Sequence, residues 1–155
     1  MRYDLRREAM SDADLMKLYS GRILALAADI PLLGRLPAPQ ASIRKRSPLC
    51  GSVVTIDLSM QNGRVSEFAQ DVKACALGQA AAAIVGQAVI GRSHAELQAA
   101  CDGLRAMLGQ NGAVPAAPFA GFEVLLPARD FRNRHASILL AIEAATEAAA
   151  LADTA

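Results

Sequence analysis

The sequence predicts an α+β fold, in which helices pack on one face of a small three-stranded antiparallel β-sheet. Three observations support this prediction. Apolar and polar residues alternate from Val53 to Met60, as is typical of a strand. Asn62-Gly63 follows directly, and both residues tolerate the positive φ of a hairpin turn. Helical spacing of apolar residues before this hairpin, and alanine-rich runs after it, predict helices.

A helix is predicted near the start of the chain. Apolar residues recur at helical spacing between 15 and 27, and Ser11 or Asp12 can cap the helix that they form. The helix is expected to end before Pro31. Residues 31–40 hold three prolines and a glycine, which is typical of a connecting loop.

Three strands are predicted next. Residues 41–47 alternate weakly and predict a polar edge strand, with the basic residues 44–46 on a solvated face. The strand from Val53 to Met60 is expected to be half-buried, since only every second residue is apolar. The returning strand, Val65 to Lys73, spaces its apolar residues irregularly, and this predicts a β-bulge.

The remaining elements are predicted to be helical. A helix is expected to begin after Cys75 and to run to about Ile90, closed by Gly91. Residues 93–96 match a capping box for the next helix, on which Cys101 falls on the apolar stripe. After a loop and a short apolar segment ended by Pro127, a last helix is expected from Asp130 or Phe131 to near Ala150. Its inner face is expected to hold Ile138, Leu139 and Ile142.

Length, charge and cysteine content limit the function. The 155 residues are expected to form a single domain spanning 1–155, with residues 1–10 loose. A net charge of +1 gives no reason to expect nucleic-acid binding. Three cysteines are too few for a disulfide scaffold, and the charged start is unlike a secretory signal, so a cytoplasmic protein is expected. The uncharged stretch 74–91 is mostly Ala, Gly and Gln, which predicts a buried helix and no membrane span.

Two cysteines and a histidine are the main candidates for chemistry. Motifs for nucleotide binding, zinc proteases and CxxC redox sites are missing from the sequence. Cys50 stands in a Pro-Leu-Cys-Gly turn, and Cys75 precedes a helix, where the dipole favours a thiolate. The hairpin between them brings both thiols to one end of the sheet. Buried packing is the alternative for each and is expected for Cys101, while His94 is expected at the surface. His135 alone is a weak candidate.

Three motifs resemble one family. Ser-Pro-Leu-Cys50-Gly-Ser resembles the N-P-x-C-G-D signature of the IscU/NifU N-terminal family of iron–sulfur cluster scaffolds. Ala-Cys75-Ala-Leu-Gly-Gln-Ala is similar to the family's G-C-x-x-x-x-A-S segment. Arg-His135-Ala-Ser-Ile-Leu is similar to its H-C-S-I-L. The resemblance covers residues 15–150 and implies a SufE/NifU-like α+β fold.

The resemblance also implies a function. It predicts a non-enzymatic scaffold that binds iron or a labile iron–sulfur cluster through Cys50, Cys75 and His135. The family's aspartate is replaced by Ser52, a possible additional ligand, and its third cysteine by Ala136. A cysteine desulfurase and recipient apo-proteins are the implied partners, and a homo-oligomer is allowed. The chaperone-recognition segment L-P-P-V-K, expected just before the histidine, has no match there.

The reduced ligand set leaves alternatives open. A two-iron, two-sulfur cluster takes four protein ligands, whereas two thiolates and one imidazole suffice for zinc with an open position. A zinc-binding sulfur acceptor on the same fold is therefore one alternative. A relative that has lost the cluster and keeps only a partner-binding role is another. A cysteine hydrolase with a Cys–His pair ranks last, since two cysteines around one histidine are typical of a ligand set.

Overall fold

The computed structural model describes residues 19–48 and 51–153, so the predictions for residues 1–18 and for Cys50 lie outside the described residues. The described elements follow the predicted order, and their class confirms the predicted α+β fold. They are α1 (Gly21–Ala28), β1 (Ala41–Arg46), β2 (Val53–Gln61), β3 (Arg64–Lys73), α2 (Ala76–Ala88), α3 (His94–Gly109), a 3₁₀ helix (Ala120–Asp130) and α4 (Arg132–Asp153).

The sheet has the order β1-β2-β3, and all pairs are antiparallel. Asn62 and Gly63 form the hairpin turn with φ of 54° and 73°, as predicted. The register shifts between Ser59 and Met60, where Ser59 pairs with Glu67 and Met60 with Val65. This shift confirms the predicted bulge in β3.

The prediction that β2 is half-buried is wrong, because both of its faces are covered. Val54, Ile56 and Leu58 are almost fully buried on the face that packs against the helices. Asp57 and Ser59 on the opposite face are buried as well. Residues 32–40 cross that face: they bond to the edge of β3 at Gln70, and the Gln40 amide then bonds to Ser59.

At the centre of that face a buried carboxylate, Asp57, pairs with Arg35, whose side chain is 58% exposed. We call Arg35, Leu36, Ser42 and Asp57 the Asp57 cluster. The fully buried Asp57 carboxylate accepts hydrogen bonds from Arg35 at 2.7 and 3.1 Å, from the Ser42 hydroxyl at 2.6 Å and from the Leu36 amide at 3.0 Å. Burial raises the pKa of Asp57, but these donors outweigh it and hold the pKa below its ordinary value.

Three helix boundaries differ from the predictions. Ser20, expected inside the first helix, is the N-cap of α1, because its hydroxyl accepts from the Ile23 amide. Pro127 does not end its segment, since the 3₁₀ helix runs through it to Asp130. Proline's fixed φ lies within the 3₁₀ range. The last helix continues to Asp153. By contrast, the capping box of Ser93 and Glu96 is confirmed.

The core is formed by α2 and α4, which pack on the sheet and against each other, and by α3, which packs against α4. Most residues of α2 are buried, which confirms that the uncharged stretch is a core helix. On α4, Ile138 and Ile142 are fully buried and Leu139 is partly buried. Among the described residues, α4 alone is long and apolar enough to span a membrane, but 61% of its most apolar window is buried within this domain. That burial is typical of a core helix.

Candidate functional site

Three elements meet at one end of the sheet. Ser52 precedes β2, Cys75 precedes α2, and Ser137 lies in the second turn of α4. The Ser137 Oγ is 3.3 Å from the Cys75 Sγ and 3.2 Å from the Ser52 Oγ. We call these three residues the Ser137 cluster. Ser52 and Ser137 are buried, whereas Cys75 is half-buried and borders the surface.

Cys75 is the N-cap of α2, as its sequence position predicts. Its backbone is extended, with φ −67° and ψ 170°, and its carbonyl accepts the Gln79 amide at 2.9 Å. Its side chain does not cap the helix. The sulfur therefore lies beside the positive end of the α2 dipole and contacts Ser137.

Gly78 allows α2 and α4 to approach each other at this point. A Cβ atom at position 78 would lie 2.7 Å from the Ser137 Oγ and 2.9 Å from the Ala74 Cβ. Real side chains do not come that close, so any larger residue would push α4 away from α2. The glycine one turn after Cys75 thus provides the space that Ser137 occupies.

His135 lies two residues before Ser137, in the first turn of α4. Its Nε2 is 2.8 Å from the Ala128 carbonyl oxygen. A carbonyl oxygen only accepts, so Nε2 carries the proton, and Nδ1 keeps a lone pair in the neutral ring. A backbone carbonyl bonded to one ring nitrogen is the usual support of a metal-ligating histidine, which uses the other nitrogen. This arrangement fits an imidazole ligand through Nδ1.

Cys50 lies outside the described residues, but residues 47, 48, 51 and 52 on either side of it are described. The Ser47 amide donates to the Ser52 carbonyl at 2.8 Å, and the Gly51 amide donates to the Ser47 carbonyl at 3.1 Å. These bonds tie the end of β1 to the start of β2 next to the Ser137 cluster. Within residues 19–48 and 51–153, no group of three or more His, Cys, Asp or Glu side chains forms a metal site.

Ser52 and Ala136 occupy the positions at which the resembled family has an aspartate and a third cysteine. The Ser52 hydroxyl is only 4% exposed and contacts Ser137. Ala136 is partly buried and has no ligand atom in its side chain. The described site residues therefore offer one thiol, one imidazole and two hydroxyls as possible ligand groups.

The other candidates lie elsewhere. Cys101 is 1% exposed in the core, as predicted, and burial raises the pKa of its thiol to about 11. A thiol that remains protonated and enclosed is a poor metal ligand. His94 is partly exposed at the start of α3. Neither of them is part of the Ser137 cluster.

Sequence reasoning did not single out Ser137. Ser137 lies inside the motif that is similar to H-C-S-I-L, but the motif assigned no role to this serine. A second signal is Gly78, three residues after Cys75 in a run of alanines, because a helical glycine often marks a close contact.

The comparisons with known proteins identify the relatives of this chain. A NifU-like protein (N-terminal) from Brucella abortus is 40% identical, with a TM-score of 0.88, over 91% of this chain and 98% of that one. A hypothetical protein of known structure is 24% identical, with a TM-score of 0.77, over 87% of this chain and 98% of its own.

A third structure comes from Fervidobacterium islandicum and is described as an iron–sulfur cluster assembly scaffold for the SUF system. It is 15% identical, with a TM-score of 0.76, over 86% of this chain and 98% of that one. The second and third likenesses show the fold alone. No protein-family model matches the chain, and no curated protein matches it significantly. The 40% identity to the Brucella protein over nearly the whole length of both chains shows that this chain belongs to the IscU/NifU-like scaffold family, as its three motifs predict.

Proposed function

We propose that this protein is a non-enzymatic scaffold for iron–sulfur cluster assembly, which binds iron or a labile cluster as its cargo through Cys50, Cys75 and His135. The observation that carries the proposal is the hydrogen bond of His135 Nε2 to the Ala128 carbonyl. In the neutral ring this bond leaves the Nδ1 lone pair available to a metal, and His135 lies two residues before Ser137, which contacts the half-buried Cys75. Ser52 remains a possible additional ligand.

The ligand count predicts how the cargo is held. A two-iron, two-sulfur cluster takes four terminal ligands, and the proposed set has three. The fourth then comes from outside the chain, from a small-molecule thiol or from a second copy of this protein. A cluster bound in this way is more easily released than one with four ligands from a single chain, as suits a scaffold that transfers its cargo.

The partners and location are proposed on the same basis. A scaffold needs a source of sulfur and a recipient, so we propose a cysteine desulfurase and recipient apo-proteins as partners, in the cytoplasm. Arg46 and Lys73 flank Val53 on one face of the sheet at the site end, and both are exposed. Their charge would favour an acidic surface on whichever partner docks there.

Anaerobic reconstitution with iron and sulfide, followed by visible absorbance, tests the proposal. Wild-type protein is expected to develop the charge-transfer bands of a cluster. Cys50→Ala, Cys75→Ala and His135→Ala are each expected to lose most of this absorbance. Cys101→Ala is the matched control and is expected to keep it, because Cys101 is enclosed in the core. Absence of a cluster in the wild type, or equal absorbance in all variants, would contradict the proposal.

Zinc is the second candidate cargo, because two thiolates and an imidazole without a carboxylate suit this metal. Elemental analysis of protein purified without added metal separates the two. Stoichiometric zinc that is lost in Cys75→Ala favours a zinc-bound sulfur acceptor. Protein that binds neither metal nor cluster, yet associates with a cysteine desulfurase, would instead be a scaffold relative with only a partner-binding role.

A further inference from the structure

The Ser137 hydroxyl has two neighbours at hydrogen-bonding distance, and its single proton can serve only one of them. It lies 3.3 Å from the Cys75 Sγ and 3.2 Å from the Ser52 Oγ. A serine hydroxyl donates one hydrogen bond and accepts up to two. With a protonated thiol the chain of bonds can therefore run in either direction.

Metal binding removes this freedom. A cysteine binds metal as the thiolate, which has no proton to donate. If the contact is kept, Ser137 must donate to the Cys75 sulfur, and its oxygen then faces Ser52 as an acceptor. The binding-competent state thus fixes Ser137 as the donor to Cys75.

The surroundings hold Ser137 in this role. It is 2% exposed, and Gly78 leaves room for its hydroxyl beside α2. Burial keeps water from competing for the sulfur on this side, which leaves the half-buried side of Cys75 for the cargo. The hydroxyl therefore contacts the sulfur from the interior of the protein.

We propose that Ser137 is a positioning residue of the metal-binding site, which orients the Cys75 sulfur and supplies it with a hydrogen bond that Ser52 supports. This inference rests on the proposed function. Hydrogen bonds to ligand sulfurs raise the reduction potential of iron–sulfur clusters, because they favour the more negatively charged state. Ser137 then influences the electronic state of the cargo without touching it.

Thiol alkylation in the apo-protein tests the contact directly. Trypsin places the three cysteines in separate peptides, 47–64, 74–92 and 93–105, so mass spectrometry follows each in the unmodified chain. The rate with iodoacetamide is measured against pH up to its plateau, where every reactive thiol is ionised. The plateau reports the nucleophilicity of the fully ionised Cys75 thiolate, because the rate there no longer depends on the fraction of thiol that is ionised.

Ser137→Ala is expected to raise the Cys75 plateau rate by about threefold or more, since a hydrogen-bonded thiolate is the weaker nucleophile. Ser137→Thr, which keeps a hydroxyl, is expected to restore the wild-type rate, and Ser52→Ala to give a smaller rise. Thr146→Val is the matched control. It removes another buried hydroxyl of α4, about 13 Å along the helix, and should leave Cys75 unchanged.

Cys101 reports on folding in the same samples. If Ser137→Ala merely loosens the domain, the buried Cys101 becomes reactive together with Cys75, and the positioning role is overturned. An unchanged Cys75 plateau overturns it as well. In reconstituted protein, Ser137→Ala is expected to lower the reduction potential of the cluster, and an unchanged potential counts against the role. Failure of the wild type to hold any cluster counts against the proposed function, which the alkylation of apo-protein does not test.

Discussion

The Asp57 cluster and the Ser137 cluster both contain buried polar groups, yet they differ in charge and in how far their possible ligand atoms are enclosed. Each oxygen of Asp57 accepts two hydrogen bonds, and Arg35 balances the negative charge. A carboxylate with four donors has no capacity left for a ligand. The Asp57 cluster is therefore a structural element that attaches the crossing segment to the sheet.

The Ser137 cluster is neutral and borders the surface. Its one sulfur contacts a single described hydroxyl, and Cys75 is half-buried, whereas Asp57 is fully buried. Lone pairs on a sulfur at the rim of a domain are what a soft metal requires. The comparison indicates that this fold has its buried charge on one face of the sheet and its candidate binding site at one end.

Breaking the Asp57 cluster should have the largest effect on stability. Asp57→Ala removes the acceptor of four hydrogen bonds and leaves the Leu36 amide without its partner. We expect a loss of about 3 kcal/mol in the free energy of unfolding, measured by denaturant titration. Asp71→Ala, which removes an exposed acid on β3, is the control and should change stability by less than about 0.5 kcal/mol. Equal losses would show that the buried carboxylate is no more stabilising than an exposed one.

Asp57 also predicts how the stability of the protein depends on pH. The pKa of Asp57 is lower in the folded protein than the ordinary 3.8, so its stabilisation is fully present above that value. It is lost as the pH falls through the lower, folded pKa. The stability difference between wild type and Asp57→Asn should therefore shrink in acid, as measured by unfolding between about pH 7 and about pH 2. A difference that grows in acid would mean that the pKa is raised.

Disturbing the helix packing beneath the Ser137 cluster should have the next largest effect on the free energy of unfolding. Gly78→Ala places a Cβ atom 2.7 Å from the Ser137 hydroxyl, and we expect a loss of about 2 kcal/mol together with a faster-reacting Cys75. Gly103→Ala is the matched control, because this helical glycine meets only Pro115 at 3.4 Å. It should gain about 0.5–1 kcal/mol from helix propensity. If both variants are stabilised, α2 and α4 are not in close contact at Gly78.

The features that could be predicted from sequence are those that depend on residues close together in the chain. The hairpin turn, the bulge, the capping box and the buried Cys101 each depend on residues within a few positions of one another. The Asp57 cluster joins Arg35 to a residue 22 positions away through a segment whose path no local pattern indicates. This is also why β2 was expected to be half-buried.

The candidate site, too, has a part that the sequence predicts and a part that it does not. The motifs single out Cys50, Cys75 and His135 as ligands, and these assignments remain predictions. Ser137 lies in the third motif, but its role could not be found from sequence, because its contact with Cys75 spans 62 positions and depends on the approach of two helices. Ligand atoms have recognisable residue types, whereas a hydroxyl that supports a ligand is recognised only by its distance from it.

Two serine variants are expected to have the smallest effects on stability. They test most directly whether the Asp57 cluster is charged and the Ser137 cluster neutral. Ser42 donates to the Asp57 carboxylate at 2.6 Å, whereas Ser52 contacts the neutral Ser137 hydroxyl. We expect Ser42→Ala to lower stability by about 1 kcal/mol near neutral pH and Ser52→Ala by about 0.5 kcal/mol. As the pH falls, the loss in Ser42→Ala should vanish with protonation of Asp57, while the loss in Ser52→Ala should persist, since serine hydroxyls do not titrate. Unfolding titrations of both variants at two pH values decide this, and a loss in Ser52→Ala that follows the carboxyl titration would mean that the Ser137 cluster is coupled to a buried charge.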